Sequence, residues 1–222
     1  MKSLLTLLLF ISSLSFAQES TQRKLYIGLN VSPEINGLLL GNSVGTESST
    51  PQIGYSSGIN FAFRPNKMIS LRSGINFSQK RYQHLHEGLI FNSDIDPTSS
   101  FINTSTVETE VSYGLLQVPF IFQFNPQGSP FFVSAGLAYN YQLESSPYRV
   151  FHYGDGTVQV SAPVFKEASN ISASMSIGYE LNLNDRLQFA FEPYFQYYFV
   201  DHIISLSNLY NIGIRTSFNL GF

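Results

Sequence analysis

The chain has 222 residues, enough for one sizeable domain, and carries a net charge of −3 with 12% charged and 15% aromatic residues. That balance, with no basic stripe, excludes a nucleic-acid binder, and the lack of cysteine excludes disulfides and thiolate metal ligation. Mean hydropathy is +0.02, the average expected of strands with one apolar face and one polar, uncharged face.

Residues 1–17 read as an export signal. Lys2 is a short basic head, an apolar run extends from Leu4 to about Leu14, and Ser15 and Ala17 supply small residues before a cleavage ahead of Gln18. The run is too short for a permanent span. No later run of 18 apolar residues exists, so no transmembrane helix is expected. The mature chain, 18–222, is then periplasmic, secreted or a transmembrane β-barrel.

Eight segments alternate with the strand period of two. The first runs from Leu25 to about Pro33, with Leu25, Ile27, Leu29 and Val31 on one face. The second is Ile53–Arg64, with Ile53, Tyr55, Ile59, Phe61 and Phe63 opposite Gly54, Ser56, Gly58, Asn60, Ala62 and Arg64. The third, Met68–Tyr82, sets Ile69, Leu71, Ile75 and Phe77 against Ser70, Arg72, Gly74, Asn76, Ser78 and Lys80. In the fourth, about Val107–Phe124, Val111, Tyr113 and Leu115 share one phase and Val118, Phe120, Phe122 and Phe124 the other. That parity switch predicts a β-bulge near Leu116, a setting that also tolerates Pro119. The fifth is Phe131–Leu143, the sixth Ile171–Leu183 and the seventh Leu187–Val200, the last with Phe189, Phe191, Phe195, Tyr197 and Phe199 on its apolar face. The eighth, about Leu209–Phe222, alternates to its final aromatic.

The connections alternate in length. Residues 65–67, 125–130 and 184–186 are short joins, whereas roughly 34–52, 83–106 and 144–170 are long; 201–208 is the exception. Short turns at one end and long loops at the other is the asymmetry of an outer-membrane barrel. The expected fold is an all-β, eight-stranded, antiparallel, up-and-down transmembrane barrel with both termini periplasmic. Lipid offers no hydrogen-bond partner, so the last strand must stay regular to its end and seal against the first. Phe218, Leu220 and Phe222 resemble the C-terminal signal read by barrel-assembly machinery. Within the 144–170 loop, "HYGDGTVQV" (His152–Val160) reads as a hairpin tip.

The stretch "YGLLQVPFIFQF" (Tyr113–Phe124) resembles a strand motif of the small outer-membrane β-barrel domain of Bacteroidota, the PorT-like group, with Gln117 in place of the more usual Glu and Pro119 conforming. "GYELNLNDRLQFAFEPYFQYYF" (Gly178–Phe199) resembles that family's late hairpin. The resemblance implies an outer-membrane barrel whose partners are membrane lipid, the assembly machinery and other secretion-system or envelope proteins.

The polar face places Arg64, Arg72, Glu108, Glu110, Glu180, Glu192 and Arg215 in a narrow lumen, where mixed charges should pair. Arg215 and Glu192 fall on adjacent strands at similar depth and are expected to interact. His84, His86, His152 and His202 lie in or beside the long loops, yet no spacing singles out a catalytic triad, and no third ligand joins His84 and His86 in a metal site. No phosphate loop, dinucleotide fingerprint or zinc spacing occurs. The reading is a non-enzymatic binding, scaffolding or assembly component without cofactor. The alternatives are an outer-membrane lipid-modifying enzyme, a narrow channel, or a soluble lipocalin-like carrier with its aliphatic face inward.

Overall fold

The computed structural model describes residues 24–39, 46–87, 104–126, 129–145, 148–153, 156–161, 169–199 and 208–222. The expected export signal and His202 lie outside them. The described residues form ten strands: β1 (Leu25–Leu39), β2 (Thr46–Phe63), β3 (Ile69–Glu87), β4 (Thr104–Phe124), β5 (Phe131–Ser145), β6 (Tyr148–Tyr153), β7 (Gly156–Ser161), β8 (Ser169–Asn182), β9 (Leu187–Phe199) and β10 (Asn208–Gly221). Eight of them run antiparallel around a closed barrel in the order β3-β2-β1-β10-β9-β8-β5-β4, with β3 pairing back onto β4. The last strand seals against the first from Tyr26↔Gly221 to Leu39↔Asn208, and Phe222 N donates to Leu25 O at 2.9 Å. No barrel edge is left open, as a lipid setting demands.

The short turns are built by their own polar residues. Asn66 Oδ1 accepts from the backbone of Met68 and Ile69 at 2.9 and 2.8 Å, and Asn184 Oδ1 accepts from Arg186 and Leu187 at 2.8 and 2.7 Å. Such Asx turns fix a reversal without outside support. Asn125 and Ser129 serve the β4–β5 turn through Asn125 Nδ2 to Ser129 O, 3.3 Å, and the Phe131 N–H to Ser129 Oγ, 3.1 Å.

The alternation sorts side chains by solvent. Ile53 is 75% exposed, Leu29 and Ile177 65%, while Ser32, Ser70, Asn36, Asn140 and Asn211 are wholly buried. The apolar face therefore points outward and the small polar face fills the interior, the reverse of a soluble carrier. Aromatic pairs mark both margins of the outer belt: Phe131–Tyr179 and Phe189–Phe218 near the turns, Tyr55–Phe77 and Tyr197–Phe199 toward the loops. Aliphatic residues such as Leu29, Ile59, Ile75 and Leu137 lie between. This is the belt of a membrane barrel. Inside, eight strands leave room only for what fits. At Gly58 a Cβ would sit 2.2 Å from both Ile75 O and Asn76 Oδ1.

Three expectations change. First, β1 runs past Pro33 to Leu39, so part of the expected first loop is barrel wall. Pro33 lacks an N–H, and the β1–β10 ladder skips Ser32 and Pro33 before resuming in register at Glu34↔Gly213. Second, β4 has no parity switch near Leu116. Its ladder with β3 keeps one register from Phe124 to Thr106, and the shift in the β4–β5 ladder lies at Gly114/Leu115, where Leu143 of β5 is the extra residue. Val111, Tyr113 and Leu115 are simply buried inside. Pro119 therefore sits in a continuous strand, where the β3–β4 ladder is interrupted between Ser73↔Phe120 and Asn76↔Gln117. Third, with that phase Glu108 and Glu110 fall on the outer face of β4, not in the lumen. They share it with Ser112, Leu116 and Phe120.

β3 and β4 have 19 and 21 residues, well beyond the roughly 10 that cross a bilayer at barrel tilt. At their loop ends the outer face turns polar. Gln52 Nε2 donates to Gln83 Oε1 at 2.9 Å, Gln83 Nε2 donates to Glu108, and Gln79 Nε2 reaches Ser112 Oγ at 3.5 Å. Where β5 leaves β4, β6 takes its place from Glu110↔Tyr148 to Thr104↔Tyr153, and β7 pairs with β6 through Tyr153↔Gly156. The hairpin expected from His152–Val160 is thus present, although residues 154–155 at its tip lie outside the described residues.

Candidate functional site

The lumen is stratified from the turns toward the loops. Nearest the turns, Arg64 Nη2 donates to Glu180 Oε1 at 2.5 Å, and Gln123 Nε2 donates to the same oxygen at 3.0 Å. The Arg64 guanidinium lies 4.6 Å from the Tyr26 ring centroid. Arg64 follows β2 and Glu180 belongs to β8, four strands away around an eight-stranded ring. The pair therefore ties opposite walls together.

The middle layer is built on Glu192 of β9. Arg72, on the diametrically opposite β3, donates Nη1 to Oε2 at 2.9 Å and Nη2 to Oε1 at 2.6 Å. This planar two-point match gives strength and fixed geometry. The hydroxyls of Ser176 and Ser134 also donate to Oε1, at 2.6 and 3.1 Å. Arg215, from neighbouring β10 in register at Arg215↔Glu192, adds Nη1 to Oε2 at 3.3 Å and stacks 4.6 Å from the Tyr194 ring.

A third layer centres on Glu34. Its carboxylate accepts from Lys80 Nζ, from Tyr194 Oη at 2.6 Å and from Asn211 Nδ2 at 2.8 Å. Both members of the Glu34–Lys80 pair are buried. Gln117 Nε2 then bridges Asn140 Oδ1 at 2.8 Å and Tyr198 Oη at 3.0 Å. Above this, Leu38, Val111, Tyr113, Leu115, Tyr198 and Leu209 pack together, with Tyr82 against them. The polar column therefore ends beneath an apolar cap.

Of the residues singled out in the sequence, Arg64, Arg72, Glu180, Glu192 and Arg215 meet in two ion-pair layers. Glu108 and Glu110 do not join them. Gln117 stands in the column beside the cap, while Phe218, Leu220 and Phe222 lie on the outer face of the sealing strand. Glu34 and Lys80 were missed. Lys80 carried its signal, lying in phase with Arg72, whereas Glu34 was lost by ending β1 at its proline. His84 and His86 belong to β3 and His152 to β6; their side chains lie outside the described residues. No cluster of metal-ligating residues occurs among the described residues.

The family comparison agrees with this architecture. A family model described as outer membrane protein beta-barrel domain matches residues 16–219. No curated protein matches the chain. Among solved structures, Neisserial surface protein A is similar at 12% identity and TM-score 0.43, covering 89% of this chain and 97% of that one. Ail, the attachment invasion locus protein of Yersinia pestis, matches at 7% identity and TM-score 0.43 over 90% of this chain and 100% of that one. OprG from Pseudomonas aeruginosa matches at 10% identity and TM-score 0.38 over 90% and 98%. At such identities these three carry no argument about activity. The matched model spans nearly the whole chain, and an outer-membrane β-barrel is what it describes. The chain belongs to the outer membrane protein beta-barrel domain family of the bacterial outer membrane.

Proposed function

We propose that this protein is a non-enzymatic, non-conducting barrel that anchors a binding or scaffolding surface at its loop end, in secretion or envelope assembly as the PorT-like resemblance implies. The observation that carries this reading is the filled lumen. Cross-barrel ion pairs, amide bridges and an apolar cap lie in series along it. Such a stack opposes ion flow and favours a rigid post over a channel. The loop-end projections of β3 and β4, with the β6–β7 hairpin laid on β4, then form the working surface. In this reading the short turns and both termini face the periplasm.

Two measurements test it. In planar bilayers the folded protein should add no stepwise conductance; steady ohmic steps would return the channel reading to first place. A photo-crosslinking residue at Gln83, on the polar rim, should yield a protein adduct in host cells, whereas one at Leu29, on the belt, should yield lipid only. No protein adduct from the rim would sink the scaffold.

A further inference from the structure

The central layer is unbalanced. Among the described residues, four cations face the lumen, Arg64, Arg72, Lys80 and Arg215, against three carboxylates, Glu34, Glu180 and Glu192. Arg64 takes Glu180 and Lys80 takes Glu34, so Arg72 and Arg215 share Glu192. That carboxylate is already crowded. Arg72 holds both oxygens and two serine hydroxyls converge on Oε1, leaving Arg215 one contact at 3.3 Å.

Nor are the two arginines fully covered. Their side chains are 10% and 14% exposed, against 1% for Glu192, and Arg72 Nε is buried with no partner. A guanidinium cannot shed its proton to escape such a setting. An uncompensated charge in a low-dielectric interior is strongly unfavourable. Water can solvate such a group, but only a counter-ion balances its charge.

We infer that the lumen binds one small monovalent anion of halide type between Arg72 and Arg215. One excess positive charge calls for one negative charge. An eight-stranded interior is nearly filled by its own side chains, which restricts the ion to a small one. The Tyr194 ring, 4.6 Å from Arg215, and the Phe132 ring, 5.5 Å from Arg72, cover guanidinium faces and leave the N–H edges to meet the ion.

Bromide is the probe. Crystals of the folded mature chain soaked in sodium bromide should show an anomalous peak in contact with both guanidinium groups. In calorimetry at constant ionic strength, replacing gluconate by bromide should raise Tm in proportion to the logarithm of bromide concentration once the site fills. Arg215→Met should flatten that dependence and Arg215→Lys should keep it. If Arg215→Met does not fold, the wild-type crystal decides alone. Absence of the peak at the two arginines overturns the inference, as does an equal bromide response in Arg215→Met.

Discussion

Replacing Glu192 by glutamine tests the logic of the lumen most severely. The carboxylate accepts five donor contacts, three from Arg72 and Arg215 and two from Ser134 and Ser176. An amide of the same shape keeps one accepting oxygen and turns its other atom into a donor facing a guanidinium. Two arginines then lose their charge partner together. Breaking one buried pair costs roughly 3–5 kcal/mol. The free surface of both arginines allows water or an ion to relieve part of the second loss, so the expected total stays near the top of that range rather than doubling. For a domain of about 200 residues this is a fall in Tm of roughly 10–20 °C. The assay is reversible urea unfolding in lipid vesicles, followed by the folded-band fraction on unboiled gels. The cycle with Arg72→Met separates repulsion from attraction. The double variant should recover much of the loss, because an apolar replacement of a buried pair is often close to neutral. Arg72 should also couple to Glu192 more strongly than Arg215 does, since it makes two short bonds against one long one. Stability of Glu192→Gln within about 1 kcal/mol of wild type, or stronger coupling to Arg215, would refute the reasoning.

On denaturing gels the unboiled protein should migrate apart from the boiled one, because the closed barrel leaves no edge at which detergent can begin to unzip it; identical migration would speak against closure. Leu29→Arg, in the middle of the lipid belt, should cost about 2–4 kcal/mol, whereas Gln83→Arg at the polar rim should change stability by less than about 0.5 kcal/mol; equal effects would mean that the belt has been misplaced. Lys80→Met should destabilise strongly and Lys80→Met with Glu34→Gln much less, read by the same unfolding assay, since Tyr194 and Asn211 alone do not balance the buried carboxylate. Gly58→Val should block folding into vesicles, because its branched carbon would collide with the β3 backbone at Ile75; normal folding yield would show that the interior is looser than that contact requires.

The strand period was legible wherever one face met lipid and the other met packed polar side chains, because both environments penalise a misplaced residue. That is why β2, β5, β8, β9 and β10 could be read with the right faces outward, and why Arg72, Glu192 and Arg215 could be placed together. The reading failed where that contrast disappears. Beyond the bilayer the outer face of β4 becomes polar while its inner face becomes apolar. Val111, Tyr113 and Leu115 therefore look like lipid-facing residues but are the cap of the lumen. The same inversion makes Glu108 and Glu110 look inward-facing in the sequence, although they lie on the outer face in the fold. At Pro33 a residue that commonly ends strands only interrupts the β1–β10 ladder over Ser32 and Pro33, and the pairs on both sides remain in register.

By itself, then, the sequence determined the class of solvent, the strand period and the closure, since local alternation and the demand that every backbone group be paired leave few other solutions. Tertiary structure alone decided which charges meet across the barrel. Arg64 and Glu180, or Arg72 and Glu192, are more than a hundred residues apart. They come within hydrogen-bonding distance only when ring closure sets their strands on opposite walls.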